Sequence, residues 1–414
     1  MRLYRLLIWV LQPVLVARVL WQRLRGQVGP GALAERLGRG SVGGPGPVIW
    51  LHGASNGELA SARWLLERLM AAVPGVAVIV TCNTASARRM VQGWALPGVS
   101  AALAPIDTPG ALRRFVGRWQ PRLLLIIENE LWPERIVQAA ARMPVVLLGA
   151  RMSEGSARNW GRLAPGLMRG LLGRLAHVSA QDAGSEARLR ALGLPGDRLG
   201  PPLVLKARAG VSAAGAPPFA CPVPRARCLL AASTHAGEDA VLLAGFAQAR
   251  SAGAVDLLIL APRHPQRGAA ISGLIAAQGL GFATRSAGQV PGPGTAVYLA
   301  DTLGEMAHWY GMAGACFIGG SLVDRGGHTP FEPAACGMAL LHGPFTANFR
   351  EAFARLDAAG AALAVSDADS LGAALTGLTP ARQADLAARA RALLAPEGDP
   401  EALIATLLRL GRLG

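Results

Sequence analysis

Glycines and potential anion ligands are concentrated between Gly319 and Gly337, in the stretch GGSLVDRGGHTPFEPAACG. A Gly-Gly pair lets the backbone approach a ligand closely, because no Cβ is in the way. Thr329, Pro330 and Glu332 have the spacing of a helix N-cap and first turn, and a helix start favours a phosphate. The residues that we expect at this phosphate site are Gly319, Gly320, His328 and Glu332. The alternative is structural, because the same Thr and Glu make a capping box that needs no ligand.

Acidic residues follow two predicted strands in the first half of the chain. Glu58 ends the motif HGASNGE, and Glu128 and Glu130 lie in IENELWP. On an extended backbone Glu128 and Glu130 would point the same way. Carboxylates at strand ends are candidates for a general base or an orienting group, with Arg151 as a partner. The competing explanations are a capping box from Ser55 to Glu58 and a plain salt bridge between Glu128 and an arginine.

Polar residues also follow separate predicted strands in the second half, in the motifs ASTHAGE and APRHPQR and in the glycine-rich stretch. The carboxyl ends of parallel strands meet at one edge of a sheet, and ligands bind there in open α/β sheets. The residues that should converge at this edge are Ser233, Thr234, His235, Arg263, His264 and Glu332. Their convergence points to a binding site more strongly than any one motif does.

The elements that must position these residues alternate between short apolar runs and helical patterns. The predicted strands of the first half are 48–51, 76–81, 101–103, 123–127, 145–148 and 177–180. Those of the second half are 229–232, 257–260, 296–299, 313–318 and 338–341. Strand–helix alternation predicts an α/β fold with a doubly wound parallel sheet in each half.

The length of 414 residues favours two domains. A stretch rich in Ala, Gly and Pro separates the two predicted sheets and is typical of a linker. We therefore expect five segments: a basic apolar segment 1–45, a first domain 46–205, a linker 206–227, a second domain 228–380 and C-terminal helices 381–414 that pack back on the first domain.

The net charge of +15 comes from 41 basic and 26 acidic residues, and almost all of the basic residues are arginine. Such a surface suits a phosphorylated substrate, an anionic lipid or a nucleic acid. Nucleic acid is the least favoured partner, because the sequence has neither a zinc knuckle nor an Arg-rich aromatic platform.

The five cysteines form no C-x-x-C pair, which argues against a disulfide framework and a zinc site. The P-loop and the dinucleotide-binding fingerprint are also missing, which argues against an ATPase and a nicotinamide enzyme.

The N-terminal segment 1–26 is basic, apolar and Trp-bearing. Its apolar run from Leu6 to Ala17 is interrupted by Gln12 and Pro13, and it is short of the roughly 20 residues that span a bilayer. Arginines around it suit anionic head groups. We expect a monotopic anchor or a signal-anchor helix rather than a cleaved signal peptide. The alternative is a helix that simply packs on the first domain.

Seven motifs occur in order along nearly the whole chain: HGASNGE, ENELWP, ARMSE, ASTHAGE, APRHPQR, ADTLGEM and GGSLVDRGGHTPFEPAACG. Together they resemble the 3-deoxy-D-manno-octulosonic acid (Kdo) transferase family. The resemblance implies a B-type glycosyltransferase fold, with two Rossmann-like domains facing a cleft. It further implies CMP-Kdo as donor, a lipid A precursor as acceptor, no metal or other cofactor, and a place at the cytoplasmic face of the inner membrane.

Site roles follow from the resemblance where the motifs match. Glu58 corresponds to the family's general base and Glu130 to a second acid on the acceptor side. Donor-side roles fall on Arg263 and His264 for the nucleotide, and on Gly319, Gly320 and Glu332 for the phosphate and ribose. Ser233, Thr234, His235 and His328 complete the expected donor-side set, and Ser55, Glu128 and Arg151 are the acceptor-side candidates. Two alternatives stay open: a B-type glycosyltransferase that uses another nucleotide sugar such as a UDP-sugar, and a non-catalytic paralogue that binds lipid A.

Overall fold

The computed structural model describes residues 1–41, 43, 46–208 and 217–413. The chain divides into two compact units, one made of Met1–Ala209 with Pro396–Gly414 and the other of Gly210–Ala395. The elements of the first unit are α1 (Arg2–Leu24), α2 (Ala32–Arg36), β1 (Val48–His52), α3 (Asn56–Ala72), β2 (Ala77–Cys82), α4 (Ala85–Gln92), β3 (Val99–Leu103), α5 (Pro109–Trp119), β4 (Leu123–Ile127), α6 (Pro133–Ala140), β5 (Val145–Ala150), α7 (Glu154–Leu163), α8 (Pro165–Leu172), β6 (His177–Ala180), α9 (Ala183–Ala191) and α10 (Leu205–Arg208).

Within the described residues, the strands of the first unit form one parallel sheet in the order β3-β2-β1-β4-β5-β6. All six strands predicted for this half are confirmed. Their near-continuous apolar runs are buried on both faces, as in β4, where every residue is buried. Strand β1 lies between β2 and β4, and its last residue, His52, pairs in register with Thr81 and Ile126. The carboxyl end of β1 is therefore the point where the loops after three strands meet.

The elements of the second unit are β7 (Cys228–Thr234), α11 (Asp239–Ser251), β8 (Leu257–Pro262), α12 (Gly268–Ala277), β9 (Phe282–Thr284), β10 (Val297–Leu299), α13 (Met306–Met312), β11 (Ala315–Ile318), α14 (Phe331–Ala335), β12 (Ala339–His342), α15 (Arg350–Ala358), β13 (Ala362–Ala364), α16 (Ala368–Thr376) and α17 (Pro380–Leu393). Its strands form a parallel sheet in the order β13-β12-β11-β7-β8-β10-β9. The five predicted strands are present, and the sequence patterns missed β9 and β13. Both are three-residue strands at the sheet edges, too short to show a periodic pattern.

The C-terminal helices divide between the units, whereas the sequence favours a common course back to the first domain. Helix α17 belongs to the second unit. Helix α18 (Pro400–Gly411) belongs to the first, where it packs on α3 and buries Ile404 and Leu407 in the same core as β1 and β2.

Helix α1 runs without a break through Pro13, although the sequence suggests an interruption there. By length and composition alone it is long and apolar enough to cross a membrane. One face rests on the first unit through Ile8 and Val19, and the Tyr4 hydroxyl donates to Asp107 at 2.6 Å. The opposite face leaves large apolar side chains in the open, among them Leu3 (80% exposed), Trp9 (71%) and Val14 (64%). This composition is a sign of membrane association.

Candidate active site

Glu58 lies in the first turn of α3, where the chain leaves β1. Ser55 is the N-cap: its Oγ accepts the Glu58 N–H at 3.4 Å and donates to Glu58 Oε1 at 2.9 Å. The other carboxylate oxygen accepts the Ala54 N–H at 2.7 Å. Burial, helped by the charges of Glu128 and Glu130, raises the Glu58 pKa to about 7 against these hydrogen bonds. Glu58 is therefore part of a helix cap and also a carboxyl group with a pKa near neutrality. The capping-box explanation and the general-base explanation of this residue are compatible.

Glu130 lies in the loop after β4 and has the opposite electrostatic environment. One oxygen, Oε2, faces three donors: His52 Nε2 at 3.2 Å, Asn83 Nδ2 at 3.0 Å and Trp132 Nε1 at 2.6 Å. Burial alone would raise the Glu130 pKa, but the hydrogen bonds from these donors outweigh burial and lower the pKa to about 2. Glu130 is therefore ionised at any physiological pH.

A buried chain of hydrogen bonds fixes which nitrogen of His52 carries the proton. The ionised Glu130 carboxylate can only accept, so the His52 Nε2 that faces it at 3.2 Å carries the hydrogen. The other nitrogen, Nδ1, then accepts from the Thr81 hydroxyl at 2.9 Å, while Thr81 Oγ1 accepts the Trp50 indole N–H at 2.8 Å. Burial, with the charge of Arg135, lowers the His52 pKa to about 4, so the imidazole is neutral and acts as a fixed donor.

Neighbouring carboxyl groups with separated pKa values can take different chemical roles. Glu58, with a pKa of about 7, is suited to accept a proton from a substrate hydroxyl. Glu130, with a pKa of about 2, is suited to stay charged and to orient a polar group. The sequence predicts a base role for Glu58 and an acceptor-side role for Glu130, and these roles stay a prediction.

The prediction that Glu128 lies on an extended backbone is wrong. Its φ of 58° places it in the left-handed region, so it does not alternate regularly with Glu130. Its salt bridge is to Lys206, at 2.8 Å. Arg151 donates its backbone N–H to Asn129 Oδ1 at 3.1 Å, which ties the loop after β4 to the end of β5.

A cavity of about 290 Å³ opens beside Glu130 in the first unit. Its walls include Trp132, Trp160 and Arg151, with Glu130 as its acidic group. Apolar walls with a few convergent polar groups are typical of small-molecule sites. The predicted acceptor-side residue Arg151 therefore lies with Glu130 in one pocket.

In the second unit, the loop after β7 is held by buried polar contacts. The Thr234 hydroxyl donates to Asp239 Oδ1 at 2.7 Å, and Arg267 bridges the Asp239 carboxylate and the Thr234 carbonyl. Thr234 is fully buried. It positions the loop, whereas the sequence predicts a donor-contacting residue. Ser233 lies just before it with a φ of 59°, at the shift in register between β7 and β8.

Three histidines from separate loops come together at the end of this sheet. His235 and His328 stack with an interplanar angle of 9°, and their Nε2 atoms are 3.0 Å apart; the His264 ring lies edge-on to His235 with a centroid distance of 5.7 Å. Burial, followed by the charges of His264, Arg325, Arg267 and Arg263, lowers the His235 pKa. An anion bound here would relieve this repulsion between positive charges, so the cluster is suited to phosphate or carboxylate.

Three backbone amides of the glycine-rich loop are already occupied by a carboxylate, so a phosphate predicted at this loop could not use them. Glu238 is fully buried, and its carboxylate accepts four N–H groups: His235 at 2.8 Å, Gly320 at 2.7 Å, Ser321 at 3.0 Å and Leu322 at 2.9 Å. The glycines are needed for close packing instead, since a Cβ on Gly319 would lie 2.5 Å from the Ser233 carbonyl oxygen. Glu238 therefore ties the His235 loop to the glycine-rich loop.

The predicted helix start in this stretch is also corrected. Helix α14 begins at Phe331 with Pro330 at the N-cap, so Thr329 is one residue too early to cap it. The Thr329 hydroxyl accepts the Phe331 N–H at 3.4 Å. Glu332 lies in the first turn, where the Tyr310 hydroxyl donates to its Oε2 at 3.5 Å.

Comparison with known proteins gives the family of the chain. The family profile described as 3-deoxy-D-manno-octulosonic-acid transferase (kdotransferase) matches residues 31–208. The 3-deoxy-D-manno-octulosonic acid transferase of Bordetella pertussis is 37% identical over 402 residues, covering 90% of this chain and 90% of the relative. That of Haemophilus influenzae is 32% identical over 363 residues, covering 85% and 84%. The chain belongs to the Kdo transferase family. It is therefore a glycosyltransferase, as the motifs predict.

The fold of this Kdo transferase family member is that of the B-type glycosyltransferases, with two Rossmann-like units. Among solved structures it is similar to a UDP-GlcNAc 2-epimerase from Neisseria meningitidis, with a TM-score of 0.59 and 11% identity. The match covers 88% of this chain and 100% of the epimerase chain. At this identity the likeness concerns the fold alone.

The sequence patterns of this Kdo transferase family member do not single out three polar side chains that organise these sites: His52, Asn83 and Glu238. His52 and Asn83 hold Glu130 from β1 and from the loop after β2. His52 is the first residue of the HGASNGE motif, so its place at the end of a strand can be predicted, but its contact with Glu130 cannot. Glu238 closes ASTHAGE, while three of its four partners lie more than 80 residues away in the chain. Among the residues that the structure describes, no group of three or more His, Cys, Asp and Glu side chains is arranged to hold a metal ion.

Proposed function

We propose that this protein is an inverting glycosyltransferase that moves Kdo from CMP-Kdo to a hydroxyl group of a lipid A precursor. The observation that carries the proposal is the pair of acids at the end of β1 and β4, one with a pKa of about 7 and the other of about 2. Membership of the Kdo transferase family supports the choice of donor and acceptor.

In the proposed reaction Glu58 takes the proton of the acceptor hydroxyl as the oxygen attacks the anomeric carbon of Kdo. The bond from that carbon to the CMP phosphate breaks, and the phosphate leaves with its electron pair. Glu130 stays ionised and orients the acceptor by accepting hydrogen bonds from it. General base catalysis of this kind is typically worth about 100- to 10,000-fold in rate.

The charge that develops on the leaving phosphate needs positive partners. Arg263 offers a positive charge in the second unit, and the rings of His235, His264 and His328 beside it offer hydrogen-bond donors. Preorganised donors that meet developing charge typically contribute about 3 kcal/mol each to the lowering of a barrier. The proposed transfer requires both units, because the acids lie in the first and these donors lie in the second.

The acceptor is proposed to reach the first unit from the inner membrane, at its cytoplasmic face. Helix α1 supports this, since its open face carries apolar side chains and arginines occur along its length. Arginines attract anionic head groups, and interfacial tryptophans such as Trp9 and Trp21 suit the boundary of the bilayer.

The direct test is incubation of the full-length protein with freshly made CMP-Kdo and a tetra-acylated lipid A precursor, read by mass spectrometry. We expect one or more Kdo increments on the lipid, and stabilisation against heat by CMP but not by UDP. If product formed only with a UDP-sugar, CMP-Kdo would not be the donor. CMP binding without any transfer would favour a non-catalytic lipid-binding protein instead.

A further inference from the structure

A second cavity lies in the first unit, between helix α1 and the body of the unit. It has a volume of about 380 Å³, and we call it the α1 groove. Its apolar wall comes from α1 through Ile8, Leu15 and Val19, and its charged wall includes Arg18, Arg36 and Arg135. A volume of this size is within the range of small-molecule sites. The groove is distinct from the pocket beside Glu130, although Trp132 lines both.

Arg135 is the most unusual residue of the groove. Its side chain is 2% exposed, and Nε and Nη1 have no hydrogen-bond partner among the residues that the structure describes. The nearby carboxylate of Asp107 already accepts the Tyr4 hydroxyl at 2.6 Å, the Glu134 N–H at 2.8 Å and the backbone N–H of Arg135 at 2.8 Å. A buried guanidinium with unsatisfied N–H groups destabilises the fold unless an acceptor reaches it.

The other two arginines, Arg18 and Arg36, add positive charge, and within the residues that the structure describes neither forms a salt bridge. Arg36 donates from Nη1 to the Ala104 carbonyl at 2.9 Å and from Nη2 to the Asn83 carbonyl at 2.6 Å. Carbonyl oxygens satisfy these N–H groups without a carboxylate in contact with them. Asp107 is the acidic residue that lines the groove together with the three arginines. The groove thus has the charge of an anion site, and guanidinium groups bind phosphate oxygens well because their N–H groups lie in one plane.

The apolar wall shows that the anion should carry a hydrocarbon chain. Leu15 and Val19 lie one turn apart on the side of α1 that faces the groove. The other side of α1, with Trp9 and Val14 in the open, has the composition of a surface in contact with lipid. A ligand with a phosphate and an acyl chain could therefore enter from the bilayer without leaving an apolar environment.

We propose that the α1 groove binds one anionic glycerophospholipid of the surrounding bilayer. Its phosphate would be bound by Arg135 and Arg36, and an acyl chain would lie along Ile8, Leu15 and Val19. This lipid is a bound component of the first unit, separate from the acceptor, and its binding does not depend on which sugar the enzyme transfers.

The groove is also connected to the candidate active site. Asn83 and Trp132 line it, and both donate to Glu130 Oε2, at 3.0 and 2.6 Å. The Asn83 carbonyl also accepts from Arg36. A phospholipid that fixes Arg36 therefore steadies Asn83, one of the three donors that keep Glu130 ionised, so we expect anionic lipid to raise the transfer rate.

The test uses the full-length protein purified in mild detergent and incubated with phosphatidylglycerol or phosphatidylcholine. Bound lipid is counted by native mass spectrometry. We expect about one phosphatidylglycerol per chain, retained in preference to phosphatidylcholine and not displaced by inorganic phosphate. Leu15→Trp fills the groove from α1 and should abolish retention, whereas Val14→Trp, on the open side of the same helix, should not. Arg135→Gln should weaken retention by roughly 10- to 100-fold, as expected for the loss of a charge-assisted contact.

Several outcomes would overturn the proposal. Equal retention of the two lipids, or an equal effect of Leu15→Trp and Val14→Trp, would mean that α1 makes only general contact with lipid. Displacement of phosphatidylglycerol by a lipid A precursor, one for one, would assign the groove to the acceptor. If Arg135→Gln does not fold, the two tryptophan variants decide the question, because they leave the body of the unit unchanged.

Discussion

Replacing Glu58 by Gln should impair catalysis and increase stability at the same time. Gln can still accept the Ala54 N–H, which Glu58 accepts at 2.7 Å, but it cannot take a proton from the acceptor. We expect transfer to fall by about 100- to 10,000-fold, the usual contribution of a general base. CMP binding should not change, because the residues proposed to bind the donor belong to the other unit.

The effect on stability follows from the Glu58 pKa, which burial raises from 4.5 to about 7. The folded protein binds this proton more tightly than the unfolded chain does. The free energy of unfolding therefore falls as the pH rises from 4.5 to about 7, where the carboxylate becomes charged in the folded state. At about 1.36 kcal/mol for each tenfold change in proton affinity, the full loss is about 3 kcal/mol. Partial access of solvent reduces this loss, so we expect Gln to recover about 2 kcal/mol above pH 7 and nothing below pH 4.5.

The assay compares the thermal unfolding of wild type and Glu58→Gln at pH 4.5 and pH 8, and measures transfer from CMP-Kdo across the same range. A recovery of about 2 kcal/mol should raise the melting temperature by roughly 4 to 8 °C at pH 8. Wild-type transfer should increase through an apparent pKa near 7. Glu67→Gln, an exposed change on the same helix, is the control and should alter neither quantity. Near-normal transfer by Glu58→Gln, or a melting temperature with no pH-dependent gain, would refute the reasoning.

Three further substitutions test the contacts that support the two sites. Thr81→Val leaves the buried Trp50 indole N–H and His52 Nδ1 without their partner, so it should lower stability by about 1 to 3 kcal/mol for each group. ¹⁵N NMR should still show His52 protonated at Nε2, because Glu130 accepts that hydrogen; a switch to Nδ1 would contradict this assignment. Glu238→Gln leaves one oxygen for four N–H groups, so CMP binding measured by calorimetry should weaken by roughly 10- to 100-fold, and unchanged binding would show that the two loops hold their positions without Glu238. Gly319→Ala puts a Cβ 2.5 Å from the Ser233 carbonyl oxygen and should lower stability by about 1 to 3 kcal/mol, whereas full stability would mean that the β7 loop can move aside.

The sequence is sufficient to predict eleven of the thirteen strands that the structure describes and the polar residues that follow them. Strands such as β4 are unbroken apolar runs bounded by polar loops, so both their type and their ends are visible without a structure. Parallel pairing then brings the loop ends together, which is why the predicted residues His235, His264 and His328 meet. Whether a residue lies at the end of a strand depends on its neighbours in the chain, so this position can be predicted from the sequence.

The partners of those residues could not be predicted in the same way. Glu128 looked like a neighbour of Glu130 on one extended face, but a left-handed backbone and a salt bridge to Lys206 separate their roles. The glycine-rich loop has the pattern of a phosphate cradle, but the carboxylate of Glu238 occupies three of its backbone amides. In both cases the deciding contact comes from a residue about 80 positions away, which no local pattern encodes.

The difference between the pKa values of Glu58 and Glu130 depends in part on long-range contacts of this kind. Glu58 is held by the amide and hydroxyl of its own helix cap, which satisfy its oxygens without supplying a positive charge, so burial dominates and its pKa rises. Glu130 receives two side-chain donors, from His52 and Asn83, that lie in other segments of the unit and a third, from Trp132, in its own loop, and together these outweigh burial. The carboxyl group held only by its own helix cap thus has a pKa near neutrality, and the one that also receives distant side-chain donors stays charged. Removing the distant donors should therefore move Glu130 toward the behaviour of Glu58, without any change to either acid.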